Sequence, residues 1–450
     1  MPDGTGKEPG MSEFLFTAGI YTLGCKVNQY ESEAIAELLA ARGVKILPPD
    51  EPCDCYIINT CTVTAESDRK ARQFVRRAIG ENPDAYILVT GCLAETAPEQ
   101  LSAIAGVDFL IGNRNKSAVA DAAIALYRQG HKNQSTEIAR VPLGGDSTFE
   151  RMVITHFDRT RAYIKIEDGC ENHCAYCIIP AARGKVRSKA PREVIDEVRG
   201  LTDGGCREVV LTGIETASYG KDLDGYGLAD LLAEVDRIPG IGRVRLGSLD
   251  PSLIKQPFVD RIARLSSLAP HFHLSMQSGS SRTLAAMKRK YNAQMALDNM
   301  ERVRRAIPDV QFTTDMIVGF PGESEKDFRE TVEFARQARF LMIHVFPYSR
   351  RTGTVAAAMP DQIPEEIKKR RAAELISVSS VIRRGILEEV AAKEPTLNVL
   401  FETFSGGYAF GHTPSFFEVR VPSSVSLHGE IRPVRVTGTD GSLLFGSLGN

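Results

Sequence analysis

Three cysteines crowded into eight residues place the tightest constraint on this chain. Cys170, Cys174 and Cys177 stand in GCENHCAYC, directly after the apolar run AYIKI. Three thiolates at this spacing can wrap one side of a cubane iron–sulfur cluster from a single loop, leaving the fourth iron without a protein ligand. An open iron is useful only where a substrate or cofactor coordinates it. A structural zinc ion wants four closed ligands instead, and here the fourth would be His173 or a distant group.

The surrounding pattern supplies a frame for such a loop. From Arg161 to about Pro347 the runs AYIKI, EVVLTGI, RVRLGSL, HFHLSMQ, QFTTDMIV and LMIHVFPY alternate with helical spans such as Arg192–Leu201 and Glu325–Ala338. Six successive parallel-type strands predict a full or partial (β/α) barrel. Ahead of it, Phe14 to about Gln129 reads as repeated βα units, a doubly wound α/β domain. Residues 365–392 read as one long helix. From about Glu394 the short runs LNVLF, FFEVRV, IRPVRV and SLLFGSL predict a small all-β barrel. The organisation is therefore α/β, with a tail expected to be disordered at 1–13, domains at 14–129, 156–384 and 385–450, and a polar linker at 130–155.

A second cysteine set follows the same rule of position. Cys25, Cys61 and Cys92 close the segments GIYTLGC, YIINTC and YILVTGC. Carboxyl ends of strands in an open α/β sheet converge on one edge, so these thiols can meet in space; each alone reads equally as a buried structural cysteine. Cys53, Cys55 and Cys206 fall near strand starts, where burial is the favoured reading. Nine cysteines, an odd count in a chain with no basic and apolar leader, favour reduced thiols or metal ligands over disulfides. No apolar run approaches about 18 residues, so a membrane span is not expected and a cytoplasmic location is.

A net charge of −2 excludes a uniformly basic coat but not local basic patches. Arg69, Lys70, Arg72, Arg76 and Arg77 lie on the helix after Cys61. Arg183, Lys185, Arg187, Lys189 and Arg192 follow the Cys170 loop, and Lys368–Arg371 with Arg383 and Arg384 mark the long helix. Each run is either a phosphate-guiding surface or a solvated face. In the last domain, Tyr408, Phe410, Phe416 and Phe417 are candidates for stacking on bases, or for core.

Together the motifs resemble the methylthiotransferase family of radical S-adenosylmethionine (SAM) enzymes, over nearly the whole chain. YTLGCKVNQYESE, NTCTVT and VTGCLAE are similar to its auxiliary-cluster segments, and IEDGCENHCAYCIIPAARGKVRS to its SAM-cluster segment. HLSMQSGS, MKRKYN, TTDMIVGFPGE and HVFPYSRRTGT match further blocks. LGCKVN and HVFPYSRRTGTVAAAMPDQIP look most like the MtaB branch, which acts on threonylcarbamoyladenosine beside the tRNA anticodon. The resemblance implies a radical SAM partial barrel and a C-terminal TRAM domain. It implies two 4Fe–4S clusters, one on Cys25, Cys61 and Cys92 and one on Cys170, Cys174 and Cys177. SAM would be held by Tyr176, Gly213, Glu215, Ser275, Gln277, Arg289 and Asp315, although the chain reads Gly-Ile-Glu where the superfamily has Gly-Gly-Glu. Arg69, Arg72, Arg76, Arg77, Arg183 and Lys185 would meet the anticodon stem-loop of tRNA. An electron donor such as flavodoxin or ferredoxin and a sulfur source are implied partners. The clusters and SAM would carry the chemistry, so no side chain is singled out as catalytic. The rival branches act on isopentenyladenosine or on a ribosomal-protein aspartate; a zinc-holding RNA-binding protein is the non-catalytic alternative.

Overall fold

The computed structural model describes residues 14–143, 148–157 and 159–449; the tail expected at 1–13 lies outside them. The strands β1 (Thr17–Thr22), β2 (Lys45–Leu47), β3 (Cys55–Thr60), β4 (Tyr86–Gly91), β5 (Phe109–Ile111) and β6 (Glu137–Ala139) make one parallel sheet, ordered β2-β1-β3-β4-β5-β6. Helices cover both faces, which is why every β3 side chain is buried. Ile57 packs with Leu39 and Ala123 on one side, and Ile58 with Val75 and Leu101 on the other. The strand order reverses between β1 and β3, the place where open α/β sheets take up ligands. Residues 130–155 do not form a bare linker: they supply edge strand β6 and the buried Met152 and Ile154.

The second unit holds β7 (Arg161–Lys165), a two-residue ladder of β8 (Glu167–Asp168) with β9 (Arg187–Ser188), then β10 (Glu208–Thr212), β11 (Arg243–Leu246), β12 (His271–Gln277), β13 (Gln311–Val318) and β14 (Met342–Pro347). Parallel pairing runs β7-β10-β11 and β12-β13-β14, and single parallel bridges (Val244 to Leu268, Leu249 to Leu274) join the two halves. The result is a six-stranded partial barrel with β7 and β14 outermost. Along β12, Phe272, Leu274 and Met276 are buried in the core, while His273, Ser275 and Gln277 are only partly covered on the opposite, lumen face.

The helix Glu365–Ala391 packs on β14 and runs across the 384/385 boundary expected from the sequence. It leads to β15 (Thr396–Ser405), β16 (Tyr408–His412), β17 (Glu418–Pro422), β18 (Ile431–Thr439) and β19 (Leu444–Leu448), a closed barrel ordered β15-β16-β17-β19-β18. This TRAM-like domain plugs the amino-terminal mouth of the partial barrel. Buried Glu208 gathers Arg245 at 2.9 Å, Arg243 at 3.4 Å and Arg161 at 3.6 Å. Burial pushes the Glu208 carboxyl up, but Arg245 and Arg161 outweigh it and hold it at about 2. Arg243 also donates to the carbonyls of His412 and Asn398, and Arg245 to that of Pro414. Phe416 is spent in this seam, stacked on His271 and His412 at 4.5 and 4.8 Å. Phe417 is core, which leaves Tyr408 as an exposed ring among the stacking candidates.

Candidate active site

Register explains how the first cysteine set meets. Thr22, Asn59 and Thr90 lie side by side across β1, β3 and β4, and Cys25, Cys61 and Cys92 follow within three residues. Each then feeds a helix: Cys25 caps Lys26–Ala40, Cys92 starts Cys92–Thr96, and Cys61 precedes Thr64, whose hydroxyl accepts from the Ser67 amide at 3.1 Å. Cys61 and Cys92 are buried. Cys25 and Lys26 are accessible yet ringed by protein, as residues lining an internal chamber are. Burial, reinforced by Cys92 and Cys25, pushes the free Cys61 thiol up to about 12.

The second set faces the first across that chamber, close enough for Cys177 and Cys92 to feel each other's charge. Its loop is clamped at the start. Gly169 has φ +88°, and a Cβ there would stand 2.0 Å from the Lys185 carbonyl oxygen. The Cys170 amide donates to the Gly184 carbonyl at 3.0 Å. Burial pushes Cys170 up to about 12 and Cys177 to about 11. Arg289 donates from Nη1 to the Cys174 sulfur at 3.2 Å and from Nη2 to Asp250 at 2.8 Å and the Ser275 carbonyl at 2.9 Å.

Gly213 and Glu215 stand beside this loop. A Cβ at Gly213 would fall 2.5 Å from Glu167 Oε2, which accepts the Glu215 amide at 2.8 Å. Glu215 Oε2 accepts from Asn172 at 3.4 Å, while its Oε1 is buried with no partner. Burial, then Asp250, pushes the carboxyl up to about 7. Tyr176 packs on the small cluster of Met287, Phe320 and Tyr348. Gln277 ends β12 at φ +66°, just past a register shift. Asp315 lies on the lumen face of β13, paired with His273 at 3.2 Å.

No described cysteine is in a disulfide, and neither cysteine set has its sulfurs as close together as ligands of a single ion; the one described triple gathered within 4.8 Å is His273, Asp315 and His344. Two separate trios of unpaired, soft sulfur donors fit cubane clusters better than zinc. The orphaned Glu215 oxygen beside the Cys170 loop fits an incoming cationic donor such as an amino group.

Between the two loops runs a buried ionic seam. Glu31, on the helix after Cys25, pairs with Arg183 at 2.7 Å, Lys165 at 2.8 Å and Lys116 at 3.1 Å. Asp168 pairs with Lys165 at 2.7 Å and Arg183 at 3.2 Å, and Arg183 also donates to Asn28 at 2.7 Å. Arg183 is thus fully buried and is not a tRNA contact: its charge is consumed by two carboxylates at the domain junction. Arg187 and Lys189 are buried in ion pairs as well, whereas Lys185 is exposed. Arg351 adds a latch from the loop after β14, bonding Asp68 at 2.6 Å and the Thr62 hydroxyl. On the helix Ala65–Glu81, Arg69 pairs with Glu66 and Arg77 with Glu81, both at 2.6 Å. Arg72 donates to Gln100 at 3.3 Å, and Arg76 is exposed.

A partial barrel whose first strand ends in this cysteine loop defines a radical SAM protein, and the Radical SAM superfamily matches residues 164–335. Uncharacterized protein family UPF0004 matches residues 17–112, the domain carrying the other trio. The chain is 39% identical to the threonylcarbamoyladenosine tRNA methylthiotransferase MtaB of Bacillus subtilis, over 94% of each chain. It is 35% identical to the tRNA-2-methylthio-N(6)-dimethylallyladenosine synthase of Desulfitobacterium hafniense, over 94% of this chain and 95% of that one. The chain belongs to the methylthiotransferase family of radical SAM enzymes. Among solved structures, the radical SAM methyltransferase TsrM of Kitasatospora setae shares the fold at a TM-score of 0.55 and 16% identity, covering 87% of this chain and 79% of that one. No helix of the described residues is long and apolar enough to cross a membrane.

Proposed function

We infer that this enzyme methylthiolates tRNA at N6-threonylcarbamoyladenosine next to the anticodon, holding one 4Fe–4S cluster on Cys25, Cys61 and Cys92 and a second on Cys170, Cys174 and Cys177. When bound, the clusters and SAM supply sulfur, methyl and radical chemistry, which acid–base side chains cannot bring to an unactivated aromatic C–H. Glu215 would accept the SAM amino group, Arg289 and Ser275 would position the loop and the cofactor, and Tyr176 would lie beside the adenine. The Glu31 seam and the Arg351 latch tie the amino-terminal domain to the barrel and keep the two loops facing one chamber.

Lys26 carries the choice of substrate. Its side chain enters the chamber near Arg245, Arg161 and Asp315, and it has no ion-pair partner among the described residues. Burial, with the neighbouring arginines, pushes its pKa down, so the lumen holds a poorly solvated cation in want of an anion. The carboxylate of a threonylcarbamoyl group answers that need; an apolar dimethylallyl group does not. Nucleoside mass spectrometry of a deletion strain tests this reading. The strain is expected to lose 2-methylthio-threonylcarbamoyladenosine alone, to regain it with the wild-type gene, and not to regain it with Cys61→Ala. Loss of the dimethylallyl product, or of aspartate methylthiolation, would overturn it.

The exposed arginines after Cys61 would guide the stem-loop. The surface pairs of Arg69 and Arg77 are weak and screened by salt, so a phosphate can displace them. Arg72→Ala with Arg76→Ala is expected to weaken tRNA binding and to flatten the slope of log affinity against log salt by roughly one to two units, at about 0.7–0.9 per contact. SAM cleavage without RNA should persist. An unchanged affinity and slope would make this helix a solvated face.

A further inference from the structure

We propose that His273, Asp315 and His344 form a divalent-metal site on the lumen wall, distinct from both cysteine trios. The three side chains come from three neighbouring strands, β12, β13 and β14. His273 pairs in register with Thr313, and Asp315 with His344. Because side chains two apart share a face, Thr313 and Asp315 both point to the lumen, and Asp315 is brought diagonally onto His273. One ligand atom from each residue lies within 4.8 Å of the others, and His273 Nε2 stands 3.2 Å from Asp315 Oδ2.

The far side of His273 is fixed in the way metal-binding imidazoles usually are. Its Nδ1 is 2.9 Å from the Thr313 hydroxyl, which also meets His271 Nε2 at 3.0 Å. That contact turns Nε2 toward Asp315 and His344. His344 remains accessible, with its ring centroid 5.8 Å from that of His273, so an ion can enter from the chamber. Two imidazoles and one carboxylate suit first-row divalent ions such as Mn²⁺, Fe²⁺ or Zn²⁺, and leave coordination positions open to oxygen donors in the lumen. Lys26, in electrostatic reach of Asp315 and His344, is the competing cation and keeps the affinity moderate.

The alternative is a plain His273–Asp315 ion pair with His344 as a bystander. Titration of the cluster-loaded full chain with Mn²⁺, followed by the room-temperature paramagnetic resonance signal of the free ion, separates the two. The wild type is expected to take up one equivalent that a single equivalent of Zn²⁺ displaces. His344→Ala, a change at an accessible residue, should abolish that step while cluster absorbance and the unfolding midpoint stay unchanged. Thr313→Val, which removes only the orienting hydroxyl, should weaken it roughly 10–100-fold. An ion pair would leave the titration unaltered in both variants. Identical uptake by the wild type and His344→Ala, or no uptake by the wild type, would overturn the site.

Discussion

Replacing Cys170, Cys174 and Cys177 together by alanine is expected to remove about four irons per chain and to abolish reductive cleavage of SAM, while the iron at Cys25, Cys61 and Cys92 stays. The expectation follows from where the two trios are built. One loop hangs from β7 and is braced by Gly169, the Gly184 carbonyl and Arg289, all within the partial barrel. The other trio is held by the register of β1, β3 and β4 and by helix starts in a different domain. Neither scaffold borrows a thiol from the other. Iron and sulfide counts under anaerobic conditions, with 5′-deoxyadenosine measured by mass spectrometry, give the answer. Loss of all iron from a folded variant would refute independent sites.

The second large effect concerns stability. Glu31→Ala leaves Arg183, Lys165 and Lys116 buried with one carboxylate fewer, and breaking a buried ion cluster on one side typically costs about 3–5 kcal/mol. The first unfolding transition in denaturant should move accordingly, because this seam joins the amino-terminal domain to the barrel. Acid sensitivity provides a separate check. Burial pushes the Glu31 carboxyl up, but Arg183, Lys116 and Lys165 hold it well below the ordinary range. A depressed folded pKa gives stability that is fully present above the unfolded value of about 4.3 and is lost as pH falls below it. Glu31→Gln should therefore be less stable than the wild type at pH 7 and should lose less stability on acidification to pH 4. Equal slopes in the two proteins would rule out Glu31 as the source.

Cys25, Cys61 and Cys92 could be read from the sequence because each thiol closely follows an apolar strand run, and Cys170, Cys174 and Cys177 because they share one loop at Cys-x3-Cys-x2-Cys spacing. The strand runs of the partial barrel were legible in the same local way, as was the helix Glu365–Ala391. Local pattern says nothing about partners far along the chain, and the misreadings follow from that. Arg183 looks like any arginine in a basic run, yet its partner Glu31 lies 152 residues away. Phe416 looks like a base-stacking ring but is claimed by His271 and His412. Strand β6 is only three residues long and wholly exposed, too short for a period-2 signal. His273 and Asp315 stand in runs that carry a cue, whereas His344, in LMIHVFPY, does not. In HFHLSMQ and QFTTDMIV, polar residues recur at every second place, which in a barrel strand marks the lumen face. Lys26 gave no such cue, because a charge beside a cysteine does not reveal the chamber it enters.

An open barrel of six strands carries a liability that a closed one lacks. Its outer strands, β7 and β14, each turn a row of unpaired amides and carbonyls outward, a template for pairing with another chain. Here the helix Lys26–Ala40 lies against β7 and the helix Glu365–Ala391 against β14. The flanking domains therefore act as edge guards as well as holders of thiols. The barrel is consequently not a separable module: cut free of its neighbours, it would present two sticky margins and lose Glu31, one of the two carboxylates that neutralise Arg183.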